Sequence, residues 1–578
     1  MSTRHHTAAA VTIVIAVAGA APAFAGTIVV APGDTPGLIA AVQAANADPG
    51  HDTISLGAGS TYTFTQGAFN GNALPIITDA LTINANGATI ERVGPSGFRI
   101  ITNQSDLTLN DLTLTGGSSG TGAGVRNDAL LVLNSCTLSE NRGGGNGGAI
   151  STAIGTRVEA INTLFHRNSA GGGSGGVIYS DRAEIVFTGC TFTENDASQG
   201  GAIDTAGSAI IEDCTFTGNF TTSGLGGGIN NYNTGTLEVT GSTFTGNQSG
   251  WAGGAISQRG TSATIADCAF VENAALGGGG GAMNAESGAV VIERCEFINN
   301  TAQDDGGAIN AATPVPMTDC LILGNTAGQD GGGLNGFNSA AYTLDRVTIA
   351  DNTAARDGGG VRVFGNANAF VNTTISGNQA GNDGGGVWVW GATDSSITNT
   401  TVHANTADNT GGGLYIQSGP LALSNTIVSA SAGRDVTGPI NDLGHNLVHD
   451  GSGLTAPTSK SGDPMLAPLA DNGGLTPTHH LIFGSPAIHA GDCAGGTVTT
   501  DQRGVARPQD PFGCDIGAYE APPCPPDVNG DVKLNFFDVQ QFIAWFVAAD
   551  PRADVTANGV IDFFDVQAYL ATLAAGCH

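Results

Sequence analysis

The chain predicts an all-β protein, a parallel β-helix solenoid of about 26-residue coils followed by a small helical module. Three observations predict this. A short pattern recurs eleven times between Cys136 and Val402 and always ends in Asn, at Asn141, Asn168, Asn195, Asn219, Asn247, Asn273, Asn300, Asn325, Asn352, Asn378 and Asn405. The steps are 24 to 28 residues, mostly 26 or 27, and a fixed period of this size marks a solenoid. No stretch within a period carries helical 3.6-residue spacing, and each holds a Gly pair, which disfavours helical repeats.

The columns assign each part of a coil. Three residues before the Asn stands Leu138, Phe165, Phe192, Phe216, Phe244, Phe270, Phe297, Ile322, Ile349, Ile375 or Val402; two residues earlier stands a small residue such as Cys136, Thr163 or Ser242. A spacing of two puts both on one face of a strand. Stacked coils would place Phe on Phe and Cys or Thr in narrow corners. Asn would sit at a left-handed bend with its amide bonded to the next Asn. A third apolar column follows each Gly pair and includes Ile150, Ile256, Val361, Val387 and Leu414.

Residues 1–25 read as a secretory signal: Arg4, an apolar run from about Ala8 to Ala21, and a small-x-small end at Ala23-Phe24-Ala25. The mature chain is expected outside the cytoplasm, secreted or at the cell surface, with no transmembrane segment once the signal is removed. Residues 26–130 form an N-terminal cap and the first coils. Thr35 is expected as the N-cap of a helix that hides the solenoid's open end. Residues 131–430 are the regular repeats and residues 431–520 close the solenoid. Residues 521–578 form a separate module.

The 578 residues carry a formal charge of −31, with 50 acidic and 19 basic side chains, and Lys460 and Lys533 are the only lysines. Such a surface repels nucleic acid and anionic lipid and suits cations or neutral ligands.

The columns resemble those of the right-handed parallel β-helix, or pectin-lyase-like, superfamily, and copies such as C-T-F-T-E-N resemble repeats of polymorphic outer-membrane proteins. The pieces D-P-M-L-A-P-L-A-D-N-G-G-L-T-P-T-H-H, G-S-P-A-I-H-A-G, D-Q-R-G-V-A-R-P and C-D-I-G-A-Y-E within 463–520 resemble the choice-of-anchor Q region of bacterial surface proteins. His489 departs from that pattern, which tends toward an acidic or amide residue.

In the tail, Asp527, Asn529, Asp531, Asn535 and Asp538 place oxygen side chains at loop positions 1, 3, 5, 9 and 12; Asp554, Thr556, Asn558, Asp562 and Asp565 repeat the spacing 27 residues later. Calcium wants six to eight oxygens, and the carbonyls of Lys533 and Val560 would complete each shell. Helices are expected over Val539–Val547 and Val566–Leu573. Two such units, ending in Asp rather than Glu, resemble a dockerin module; the resemblance implies attachment to a cohesin-like or cell-envelope partner. Val532 stands where the first loop prefers Gly and is expected to weaken it, while Thr556 is a weaker ligand in the second. Phe536, Phe537, Phe563 and Phe564 read equally as docking faces or as packing between the helices.

Of ten cysteines, six fall in the interior column and read as a small-residue stack. Cys493 and Cys514 could bridge the region before the tail, and Cys524 and Cys577 bracket the tail.

Two features bear on function. Asp305, Asp330, Asp357 and Asp383 each precede a Gly-Gly, with Arg356 and Arg362 nearby; they form a ladder for a cation or substrate, or ordinary turns. Lyases of the resembling fold hold calcium on carboxylates of adjacent coils and use Arg or Lys as base. Arg362, Phe364, Trp388, Trp390 and Tyr415 fall on three consecutive coils and, if outward, form a platform on which sugar rings stack. The alternative is burial under the return chain, about Asp435 to Pro477. Together these favour a non-catalytic adhesion or carbohydrate-binding protein that contacts a polysaccharide or cell-surface glycan. The competing expectation is a polysaccharide lyase or glycoside hydrolase, and no catalytic set is readable.

Overall fold

The computed structural model describes residues 26–576 apart from 339, 366, 494–497, 510, 525 and 557–559. The signal-peptide reading, Asn558 and Cys577 therefore lie outside the described residues. From Thr27 to Ser461 the chain winds as a parallel β-helix. A first sheet of 17 strands runs from Thr27–Val29 to Ile440–Asp442. A second runs from Thr61–Phe64 to Lys460–Ser461. A third, of 14 strands, runs from Ile101–Asn103 to Val436–Thr437. Every strand pairs in parallel with the equivalent strand one coil away, as Phe216 with Phe244 and Phe244 with Phe270.

The columns of the sequence become the columns of the core. Phe165, Phe192, Phe216, Phe244, Phe270 and Phe297 are fully buried and stack with centroids 4.4–4.9 Å apart and planes within 13°. That spacing is the sheet's own repeat, so each ring meets the next without strain. The six interior cysteines are buried and free. The asparagines form a continuous ladder. Asn273 Oδ1 accepts from the backbone N–H and the Nδ2 of Asn247, each at 3.0 Å, and its own Nδ2 donates to Phe244 O and Asn300 Oδ1. The same pattern links Asn141 to Asn168 and Asn378 to Asn405. A polar side chain thus crosses an apolar interior with its hydrogen-bonding groups paired.

The ladder corrects one expectation. The left-handed residue is not the Asn but its predecessor, such as Glu272 (φ 55°) or Asn299 (φ 55°). The bend turns there, leaving the Asn side chain pointing inward along the axis. At the Gly pair, Gly306 takes φ 66°, and a Cβ on Gly307 would lie 2.1 Å from Gly332 O of the next coil. One glycine is needed for conformation and its neighbour for space.

At the N-terminal end, helix α1 (Thr35–Ala47) buries Leu38, Ala41, Val42 and Ala45 against the first coil. Its cap is Asp34 rather than Thr35: the Asp34 carboxylate accepts from Gly37 N at 2.9 Å. At the other end, residues 463–521 fold back along the outer face of the second sheet. Thr348 Oγ1 donates to Pro477 O, Thr374 Oγ1 to Gln502 Oε1, and Ala518 N to Thr401 Oγ1. The segment's polar motifs form a buried network: Arg507 pairs with Glu520 at 3.0 Å and Arg503 with Asp501 at 2.6 Å. Cys493 and Cys514 are joined by a disulfide.

The tail holds helices α2 (Phe536–Val547) and α3 (Phe563–Ala575), packed through Phe542 and Tyr569 with rings 4.0 Å apart. Both start three residues before the expected positions. Asn535 and Asp562 act as N-caps, and the carboxylates of Asp538 and Asp565 reach back to the cap N–H groups. Among the described residues, no helix is long and apolar enough to cross a membrane.

Candidate functional site

The third sheet carries the aromatic and acidic features on one outer face. Val361, Val387 and Leu414 point inward and are fully buried, so period two turns Arg362, Trp388 and Tyr415 outward in one register row. Phe364 pairs with Trp390 in the next outward row, and a register shift after Val389 pairs Trp390 with Ser418 of the following strand. The described contacts of the return segment fall on the second sheet, and Trp390 on this face is exposed.

The five side chains nonetheless differ in depth. The guanidinium of Arg362 lies 4.2 Å from the Phe364 ring centre and 5.0 Å from that of Trp388. Phe364 meets Trp388 edge-on at 5.2 Å, and Trp388 stacks with Tyr415 at 6.4 Å. Trp388 is 4% exposed within this cluster, whereas Trp390 is 48% exposed. Trp390 and the half-buried Phe364 and Tyr415 form the surface; Trp388 and Arg362 hold it rigid.

The structure joins the ladder to this platform. Each ladder carboxylate caps the next coil: Asp305 Oδ1 accepts from Asp330 N, Asp330 Oδ1 from Asp357 N, and Asp357 Oδ1 from Asp383 N, at 3.1–3.3 Å. The other oxygen of Asp330 takes both Arg356 (3.0 Å) and Arg362 (3.2 Å). Burial raises the carboxyls of Asp305 and Asp330, and Arg362 pulls Asp330 back. Burial is also the main cause that raises the Tyr415 hydroxyl, with Asp383 and Asp357 adding to it. These carboxylates are spread along the axis and serve the backbone and two arginines.

Sequence reasoning missed the row that leads away from the platform. Asn335 Nδ2 donates to Asn310 Oδ1 at 2.8 Å, Asn310 Nδ2 to Asn284 Oδ1 at 3.2 Å, and Arg362 Nη1 to Asn335 Oδ1 at 3.2 Å. The signal was present: each Asn follows the apolar column by one residue, as Arg362, Trp388 and Tyr415 do.

The tail loops are unequal. Oxygen atoms of Asp527, Asp531 and Asp538 lie within 4.8 Å of one another, the only such group of three among the described residues. Asp538 is fully buried, and its Oδ1 has no partner. An orphaned carboxylate oxygen facing two more carboxylates is costly unless a cation completes it. Burial, reinforced by repulsion from Asp538 and Asp531, raises the Asp527 carboxyl. Val532 adopts φ 59° and donates its N–H to Asp527 Oδ2. The loop requires a left-handed turn here, and Val532, a β-branched residue where glycine is preferred, takes it at a cost in backbone strain. Asn535 Nδ2 donates to the Lys533 carbonyl. In the second loop, Asp565 Oδ1 is occupied by the N–H and hydroxyl of Thr556, and among the described residues the carboxylates of Asp554, Asp562 and Asp565 do not converge as a group of three. Calcium fits the first loop's oxygens.

The first loop also touches the body. His489 Nδ1 lies 3.3 Å from Gly530 O, and the Phe512 ring lies where a Gly530 Cβ would be. Phe536, Phe537, Phe563 and Phe564 are 64–72% exposed, so they do not pack between the helices.

The right handed beta helix region family matches residues 73–248 and again residues 227–402, more than half of the chain. The protein belongs to the right-handed β-helix family. No curated protein matches the chain. Among solved structures, this β-helix is similar to the A-module of a mannuronan C-5 epimerase from Azotobacter vinelandii, at 15% identity and TM-score 0.26 over 74% of this chain and 95% of that one. It is also similar to a pectate lyase at 15% identity and TM-score 0.26, over 86% and 96%.

Proposed function

We propose that this is an extracellular, non-catalytic β-helix protein that binds a polysaccharide on the outer face of its third sheet. Its tail module would hold calcium in the first loop and attach to a partner. The observation that carries the reading is an exposed Trp390 beside half-buried Phe364 and Tyr415, backed by a rigid stack of Trp388, Arg362 and Asp330. Flat, pre-ordered aromatic surfaces suit sugar faces, because little freedom is lost on binding.

The same geometry favours binding over cleavage. A lyase at this place would need Arg356 or Arg362 as its base, and both are ion-paired to Asp330, with Arg362 also wedged between two rings. The orphaned Asp538 Oδ1 supports calcium, and the four exposed phenylalanines support docking of a cohesin-like partner.

The test is a panel of neutral and acidic polysaccharides in affinity electrophoresis, with a parallel assay for unsaturated and reducing ends. Retardation by at least one polymer, relieved by Trp390→Ala and without product release, is expected. Release of either kind of end would replace this reading with a polysaccharide lyase or glycoside hydrolase.

A further inference from the structure

Four to seven coil steps before Arg362, the same outer face holds a second constellation built from the same parts. Tyr179, Asp204, Asn230 and Ser257 occupy one register row on successive strands, the row that continues to Arg362 and Trp388. Tyr232 and Arg259 pair in the next outward row. Asp204 is 3% exposed and accepts from Asn230 Nδ2 at 2.5 Å. Asn230 Oδ1 in turn lies 3.4 Å from Arg259 Nη2. The hydroxyls of Tyr179 and Tyr232 are 3.2 Å apart.

The parallel with the platform is close. Arg362 bonds the amide of the preceding coil, Asn335, and is backed by the buried Asp330. Arg259 bonds the amide of the preceding coil, Asn230, whose amide group holds the buried Asp204. The Arg362 guanidinium lies against two aromatic rings, and Arg259 pairs in register with Tyr232. In each, Nε is buried without a partner.

The fold does not require this arrangement. Other coils place Ser151, Ser257 or Asn284 where Asp204 stands, and a buried carboxylate costs stability that Ser or Asn would not. Burial pushes the Asp204 carboxyl up to about 6, against the pull of Asn230, Ser174 and Arg259. Carboxyls perturbed by burial and held by specific partners cluster at functional places. Asp204 and Asn230 are too deep to touch a ligand and act as positioning residues. Tyr179, Tyr232 and Arg259 are half-buried and form the contact surface. Their donors, a guanidinium and the hydroxyl proton left over from the tyrosine pair, suit ring and exocyclic sugar oxygens.

We propose that Tyr179, Tyr232 and Arg259 form a second saccharide site, and that one extended polysaccharide lies along the third sheet from there to Trp390. The hydrogen-bonded Asn284, Asn310 and Asn335 form the floor between the two ends. The strands of Arg259 and Arg362 are four coil steps apart, about 19 Å. A chain of several sugars reaches both; a disaccharide does not. This inference rests on the polysaccharide-binding reading and names the ligand as a polymer read over that length.

Affinity electrophoresis in polygalacturonate, xylan, galactomannan and mixed-linkage β-glucan tests it on the full mature chain with Arg259→Gln, Tyr232→Phe and Trp390→Ala. The expected result is retardation of wild type by at least one polymer. Arg259→Gln should weaken it by about tenfold, as truncation of a charged anchor does, and Tyr232→Phe several-fold, with unchanged melting temperatures. Disaccharides made from the same polymer should compete equally against wild type and Arg259→Gln at the Trp390 end. If Trp390→Ala relieves retardation while Arg259→Gln and Tyr232→Phe leave it unchanged, the second site is wrong and the platform stands. If no polymer retards wild type, both readings fall. Tyr232→Phe keeps the inference testable should Arg259→Gln lower the melting temperature.

Discussion

Asn273→Ala is the sharpest test of how the solenoid is held. The Asn273 side chain makes four hydrogen bonds in a fully buried position: two accepted from Asn247, and one each donated to Phe244 O and Asn300 Oδ1. Alanine removes all four and takes this partner from two Asn247 donors and the Phe244 carbonyl in an apolar interior, while Asn300 Oδ1 keeps the backbone N–H of residue 273. An orphaned buried group costs roughly 1–3 kcal/mol. Asn300 Oδ1 and Asn247 Nδ2 each keep one other bond and relaxation makes the losses less than additive, so a total of about 3–5 kcal/mol is expected. The loss also interrupts the ladder mid-solenoid, where stability is a sum of coil and nearest-neighbour terms. The assay is urea unfolding of the mature chain by far-UV circular dichroism, with Thr245→Ala, outward on the preceding coil, as control. The variant should unfold at markedly lower urea or show a separate early transition, and the control should lie within about 0.5 kcal/mol of wild type. A cost below about 1 kcal/mol would refute the ladder as a source of stability and leave the Phe stack to account for it.

Phe244→Ala should cost about 3–5 kcal/mol by the same assay, because rings lie 4.6 and 4.9 Å away on either side; a neutral result would mean that the stack closes over the gap. Calcium should raise the melting temperature of the tail, by an amount equivalent to about 2.7 kcal/mol at a hundredfold excess over Kd. Asp538→Ala should abolish most of the effect, and Asp565→Ala, whose carboxylate is already held by Thr556, should reduce it less. A melting curve indifferent to chelator would remove the metal assignment. Thiol titration of denatured, unreduced protein should find six free cysteines, the interior column; none would mean that the column is bridged. Burial lowers His479, and burial lowers His403 to about 4, with each helped by a neighbouring histidine. Both stay neutral in the fold, so their stabilising share is present above the unfolded value of about 6.5 and is lost as pH falls toward the folded values. His479→Gln should flatten the fall of thermal stability below the unfolded value of about 6.5 relative to wild type; an unchanged slope would count against it.

The sequence alone determined the solenoid, its period and its interior. Phe stacks, a Cys column and an Asn ladder are properties of a repeat, and identical positions one coil apart must meet whatever the rest of the chain does. It also determined which residues face outward at Arg362, Trp388 and Tyr415, since side chains alternate along a strand. Only the tertiary structure decided what those residues do. Asp330 and Arg362 are 32 positions apart in the chain, and their ion pair depends on how adjacent coils register. Trp388 and Trp390 share a strand and a side of it, yet one is buried and one exposed, because Arg362, Phe364 and Tyr415 arrive from neighbouring coils. The return segment's choice of the second sheet, which leaves the third free, depends on long-range contacts such as Thr348 with Pro477, for which no local pattern exists. In the tail, spacing alone made the two loops look alike. Backbone angles made them different: Val532 takes a left-handed turn that lets three carboxylates converge, while Thr556 folds onto Asp565 and occupies it.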